Sequence, residues 1–332
     1  MEPIIIMNSN WGNSPFIPLY LYFGGLTGGL YIISVLADLI GIRKKQYENL
    51  SKVTAYLDIP ILGLAGFFII FHLGQPARGL ALWNFTNIDS SWMARGGFVV
   101  LFSSIFTVGY AALWYFGVEQ KIRRIVGVVG IPVLSFMAIY TGLLLGGAVF
   151  VPLWSSQFLP TLFLNSGILG GLAGIGLIAI LTSYFRAESE ELGGVLRVVG
   201  MAVAVVILLE FSELYLFMNH LANDTSAVVK TGQFFGPNGS VKAFEYVTQG
   251  PLAVWFWLGI IGIGLSLPFV ITLIGLIFER HIQPYLKLVA LANFTLILIG
   301  GAILRFVIVW GGDLSAPLPF PPANFPIPLL GG

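Results

Sequence analysis

Cysteine is absent from all 332 residues, which excludes disulfides, thiolate metal sites and cysteine-ligated iron–sulfur clusters from this chain. Histidine is scarce, with only His72, His220 and His281. Haem in a helix bundle needs two histidines facing each other at one depth. His281 falls in a loop, and His72 and His220 lie near the ends of their spans, so neither haem nor any other metal is expected. Charge is scarce as well, since Asp, Glu, Lys and Arg make up only 9% of the chain. The net charge of +1 is uninformative about partners, and nucleic acid is not expected among them.

Apolar sequence is abundant. The chain is 57% hydrophobic with a mean hydropathy of +0.91, so water is not its main solvent. Windows of about 20 residues predict eight spans long enough to cross a hydrocarbon core of about 30 Å, near 17–40, 53–74, 93–117, 125–147, 164–185, 195–219, 251–278 and 288–311. Lipid offers no partner for an open backbone, so such runs are helices. The fold class is an all-α polytopic membrane protein with eight transmembrane helices. Eleven basic residues, from Arg43 to Lys287, fall on one side; Arg78, Arg95, Lys230 and Lys242 fall on the other, and Arg305 lies within a span. The positive-inside rule makes the first side cytoplasmic and both termini extracytoplasmic. No removable signal peptide is expected, because the start lacks a basic n-region and a small-residue cleavage site.

The cytoplasmic loops are short and the outer ones richer, which points to recognition on the outer side. Gly24, Gly25, Gly28 and Gly29 of span one are echoed by Gly167, Gly170, Gly171 and Gly174 of span five. Small residues four apart let helices approach closely in lipid. With four spans per half, two four-helix bundles are expected, over residues 1–147 and 148–313. Residues 314–332 form an uncharged proline-rich tail, expected to be extended and docked as a strap.

Polar residues inside the spans each need a reason, because burial of an ionisable group is costly. Asp38 and Asp58 sit near the cytoplasmic ends of spans one and two, where interfacial solvation is the simple reading. Glu210 and Glu213 share one face of span six, and Arg305 lies at comparable depth in span eight. Together they suggest a buried ion pair, either a clamp between helices or a proton-handling group. Tyr140 and Thr141 in span four favour a pocket. Tyr20 and Tyr22 stand at the outer end of span one. The junction Phe71–Val100 concentrates His72, Gln75, Arg78, Trp83, Asn84, Asp89, Trp92 and Arg95 between two hydrophobic helices, which marks it as one wall of a site.

These residues carry a resemblance. HLGQPARGLALWNF at His72–Phe85 followed by SSWMARGG, with DIP at Asp58–Pro60 upstream and YTG at Tyr140–Gly142, resembles the NrfD/polysulfide-reductase membrane-subunit family across all eight spans. The resemblance implies a membrane anchor that exchanges electrons with membrane quinone (menaquinone-like) and holds no haem and no iron–sulfur cluster of its own. It implies a four-cluster iron–sulfur protein and a molybdopterin catalytic subunit as partners on the outer face of the cytoplasmic membrane. By position it assigns Tyr140 to the quinone head group, with His72 and Arg95 flanking the pocket and Tyr20 or Tyr22 as the span-one contact. A proton path maps to Asp38, Asp58, Glu210, Glu213 and Arg305. Terminal-substrate chemistry is not expected in this chain. The competing readings are a secondary transporter or ion channel, and a purely structural membrane anchor. The spans lack the paired mid-membrane breaks of the former, and the latter leaves the buried carboxylates without a role.

Overall fold

The computed structural model describes residues 14–42, 44–72, 92–148, 151–154, 157–185, 189–223, 239–278 and 283–315. Among them every regular element is helical. In chain order these are α1 (Phe16–Ile40), α2 (Lys45–His72), α3 (Trp92–Tyr115), α4 (Gln120–Gly146), α5 (Leu159–Phe185), α6 (Ser189–Asn223), the short α7 (Gly239–Thr248), α8 (Trp255–Ile277) and α9 (Leu286–Ser315), with a single 3₁₀ turn (Gln283–Tyr285) ahead of α9. All but α7 are long and apolar enough to cross a membrane.

The expected eight spans are therefore present, and the differences lie at their ends. Helix α2 begins at Lys45 rather than near 53, because its first two turns carry Lys45, Gln46, Glu48 and Lys52 and fall outside any apolar window. Helix α6 likewise extends beyond its apolar run at both ends. Helix α8 is wound as a π-helix from Trp255 to Ser266 and becomes α-helical only from Leu267. Neither this nor α7 is legible in the hydropathy. The strap assigned to the tail lies outside the described residues, as do Gln75, Arg78, Trp83, Asn84 and Asp89 of the helix junction. The helices carry most of the basic residues, Lys45, Lys52, Arg123, Arg124, Arg197 and Lys287 among them, towards one end; that is the basic end, and the other is the distal end.

Helix α1 is the hub. It packs on α2, α4, α5 and α9, while α3 closes against α2 and α4, α6 and α9 pack against α5, and α8 packs against α6 and α9. Its contact with α5 is made by glycines. A methyl group at Gly29 would coincide with the Gly167 carbonyl, one at Gly171 would strike the Gly29 backbone, and one at Gly167 would lie 2.7 Å from the Gly25 carbonyl oxygen. The two glycine runs that look alike in the sequence are thus the two halves of one backbone-to-backbone crossing. Gly264 of α8 and Gly300 of α9 repeat the device.

At the basic end a polar clamp joins α1, α2, α3 and α4. The Arg123 guanidinium donates to both Asp38 oxygens (Nε–Oδ2 2.9 Å, Nη2–Oδ1 2.8 Å), reaches Glu48 at 3.0 Å and lies 3.4 Å from the centre of the Trp114 ring. Arg124 adds a third bond to Asp38 at 3.1 Å, and the Tyr110 hydroxyl a fourth at 3.0 Å. Tyr110 continues to Ser51, which accepts from Ser34 through its carbonyl. A buried carboxylate with two guanidinium partners and a phenol donor is fully compensated. Asp38 is 0% exposed and therefore not the interfacially solvated group that its position suggests.

Candidate functional site at the distal end

Tyr140 lies buried near the distal end of α4 and donates its hydroxyl to the Trp92 carbonyl oxygen at 2.8 Å, at the first turn of α3. That bond is possible because residue 96 is glycine: any side chain there would overlap the Tyr140 hydroxyl. Gly147, at the end of α4, makes room in the same way for the Trp92 ring. Arg95 stands over Trp92, 4.7 Å from the ring centre. Tyr20 of α1 is 2% exposed and lies near the start of α1, at the same end. His72 closes α2 at this same end, next to Phe71, whose ring is 6.5 Å from that of Phe16. The distal ends of four helices thus bring Tyr140, Tyr20, Trp92, Arg95 and His72 to one end of the first half of the molecule.

Tyr22 does not belong to this group. Two residues along a helix turn the side chain to the opposite face, and Tyr22 instead lines a narrow crevice between α1, α5, α6, α8 and α9, together with Ser166, Glu210 and Arg305. The π-wound part of α8 supplies Ile260 and Gly264 to its wall. Arg305 is 1% exposed. It donates to Ser166 Oγ at 2.6 Å and to the Phe163 carbonyl at 3.1 Å, and stacks 4.3 Å over the Phe163 ring. Gly25 leaves the space for its head group.

The expected ion pair of Arg305 with Glu210 or Glu213 is not formed. Among the described residues no carboxylate oxygen lies within 4 Å of Arg305, whereas Arg123 and Arg124 pair with Asp38 and Arg123 with Glu48. Ser166 and a backbone carbonyl take the place of a carboxylate, and one oxygen of Glu210 and one of Glu213 remain buried without a hydrogen bond. Equal depth on α6 and α9 does not make a contact, because the intervening α5 supplies the acceptors.

Asp58, midway along α2, is 1% exposed, and neither of its oxygens has a hydrogen bond of good geometry. Thr27 lies beside it, its own hydroxyl unbonded. Ser103 and Thr107 of α3, near the middle of the span, are also buried and unbonded. Sequence reasoning missed these hydroxyls. For Thr27 the signal is present in α1, where Tyr20, Thr27, Tyr31, Ser34 and Asp38 recur at steps of seven, four, three and four, a helical face that is polar through the thickness of an apolar span.

The arrangement has a context among known proteins. A family profile described as Polysulphide reductase, NrfD matches residues 7–316. The chain belongs to the NrfD family. Its relatives include a polypeptide of the polysulfide reductase of Wolinella succinogenes, 26% identical over 92% of this chain and 99% of that one. Protein NrfD of Escherichia coli is 27% identical over 90% of this chain and 94% of its own length. A subunit of the selenate reductase of Mesobacillus selenatarsenatis is 24% identical over 80% of this chain and 67% of its own. Membership confirms the resemblance carried by His72–Phe85 and Tyr140–Gly142. This NrfD-family chain is a multi-pass membrane protein whose relatives include subunits of reductases.

Proposed function

We propose that the protein is the quinol-reactive membrane subunit of a reductase complex, passing electrons from the membrane quinone pool to an iron–sulfur subunit that docks at the distal, extracytoplasmic face and leads to a molybdopterin catalytic subunit. The observation that carries this reading is the Tyr140 hydroxyl. Its hydrogen is committed to the Trp92 carbonyl, so towards a ligand the phenol oxygen is an acceptor. An acceptor suits the hydroxyl of a quinol better than the carbonyl of a quinone. The residues fit such a head group: Tyr140 and Tyr20 offer phenols, Trp92 an aromatic face, and Arg95 and His72 polar groups at the same end. Bound quinol would supply two electrons and two protons, and the chain holds no cysteine with which to ligate a cluster, so the electrons require a partner's acceptor.

Within the membrane the groups available to hold a proton are Asp58, Glu210 and Glu213, each with at least one carboxylate oxygen unbonded. Arg305 lines the same crevice as Glu210. Asp38 stands apart from this set, because both of its oxygens are occupied by arginine. The family relatives named as parts of reductases support the same assignment at the level of the complex.

Tyr140→Phe in the purified complex tests the reading. It removes the acceptor and keeps the ring, and the loss of a single hydrogen bond of about 0.5–1.5 kcal/mol predicts a roughly twofold to tenfold fall in quinol oxidation. Assembly and the reaction of the partner subunits with artificial electron donors should be unchanged. Unaltered quinol turnover in Tyr140→Phe would remove the basis of the proposal.

A further inference from the structure

A second cleft lies at the basic end, on the other half of the molecule, between α6, α8 and α9. It encloses about 560 Å³ counted out to its open mouth. Arg197 and Gly193 of α6, Thr272 and Gly275 of α8, and Asn293 and Phe294 of α9 line it. A methyl group at Gly193 or Gly275 would meet nothing within 4 Å. These glycines therefore do not serve close helix packing, unlike those of the α1–α5 crossing; they leave the cleft open.

One polar group inside is unanswered. The Asn293 side chain is 5% exposed, donates its amide to Thr272 Oγ1 at 2.8 Å, and leaves Oδ1 buried with no hydrogen bond. An amide oxygen left unbonded in an apolar cleft keeps its full desolvation penalty, so the site calls for a donor. Arg197, near the basic end of α6, adds a guanidinium, a group suited to phosphodiesters. Apolar walls, a guanidinium at the mouth and a buried acceptor within describe an amphiphile with an anionic phosphate and a hydroxyl.

We infer that this cleft binds a glycerol-headed anionic phospholipid, phosphatidylglycerol or cardiolipin, with its phosphodiester on Arg197, a headgroup hydroxyl donated to Asn293 Oδ1, and acyl chains along the apolar wall. A zwitterionic lipid would have to bring an ammonium ion to the same oxygen, at a larger desolvation cost than a neutral hydroxyl. The site is separate from the Tyr140 cluster and does not depend on the proposed electron transfer.

Lipid retention in the purified complex, counted by native mass spectrometry after reconstitution in equal phosphatidylglycerol and phosphatidylethanolamine followed by a detergent wash, tests the inference. The wild-type complex should keep the anionic lipid. Arg197→Gln should lower its retention about tenfold, the effect of losing a charged hydrogen bond. Gly275→Leu should do the same by filling the cleft, whereas Lys121→Gln, an exposed basic residue at the same end on α4, should not. Replacing phosphatidylglycerol by phosphatidylmethanol, which keeps the charge and lacks the hydroxyl, should weaken retention in the wild type but not in Asn293→Ala. Equal retention in wild type, Arg197→Gln and Gly275→Leu overturns the inference. So does retention of phosphatidylethanolamine or a quinone in its place, or displacement of the lipid by inorganic phosphate.

Discussion

Gly29→Leu should leave almost no folded protein in the membrane. A side chain at this position points into the Gly167 carbonyl of α5, and the reciprocal contact from Gly171 falls on the Gly29 backbone. Backbone meets backbone, so no rotamer change relieves the clash and the two helices must separate. Overpacking costs typically about 1–3 kcal/mol where neighbours can adjust, and here the obstruction is main chain, which places the cost at the top of that range or beyond. The separation also disturbs the contacts of α1 with α4, α5 and α9 together. The measurement is the yield of monodisperse protein after detergent extraction and a graded thermal challenge. Gly63→Leu and Gly66→Leu, where a methyl group meets nothing within 4 Å, should extract and melt like the wild type. A Gly29 variant as stable as those controls would show that α1 and α5 do not cross this closely.

Arg123→Leu should be nearly as damaging, and for an electrostatic reason. The substitution leaves Asp38 at 0% exposure with Arg124 and Tyr110 as its remaining partners and strips the Trp114 ring of its cation. Removing one partner of a buried pair costs about 3–5 kcal/mol, because the other charge remains desolvated. Removing both is milder. The double variant Asp38→Leu, Arg123→Leu should therefore recover much of the lost thermal stability, and a melting temperature for the double variant equal to or below that of Arg123→Leu alone would contradict the clamp. Neither change touches the Tyr140 cluster at the far end of the molecule, so whatever complex survives should carry out the proposed quinol oxidation at the normal rate per folded molecule.

The eight spans are legible in the sequence because the physics that creates them is one-dimensional: about 20 consecutive apolar residues suffice. Their ends are less so, since the first turns of α2 and the last of α6 are helical but too polar to fall within an apolar window. The paired glycine runs are visible, but that they meet each other can be learned only from the packing. The position of Tyr140 near α3 follows from the resemblance, whereas the partner of its hydroxyl is a backbone carbonyl, which no residue type announces. Tyr20 and Tyr22 look interchangeable, yet helical geometry sends them to different halves of the molecule. The Arg305 pairing fails because depth along two helices says nothing about which third helix stands between them; Ser166 and Phe163 of α5 do.

The central place of α1 has a consequence for how the protein is made. Synthesis proceeds from the N-terminus, so α1 leaves the ribosome before any helix it finally touches. Its apolar core window is 78% buried in the finished fold, compared with 28% for α8, and part of that cover comes from Arg305 against Gly25, one of the last contacts to be translated. Until then Tyr20, Thr27, Tyr31, Ser34 and Asp38 form a polar stripe on a helix that has no bundle around it. The nascent segment must be sheltered by the insertion machinery or by α2, the next helix to emerge and one of its final neighbours. The most completely enclosed helix is thus the one that waits longest for its surroundings.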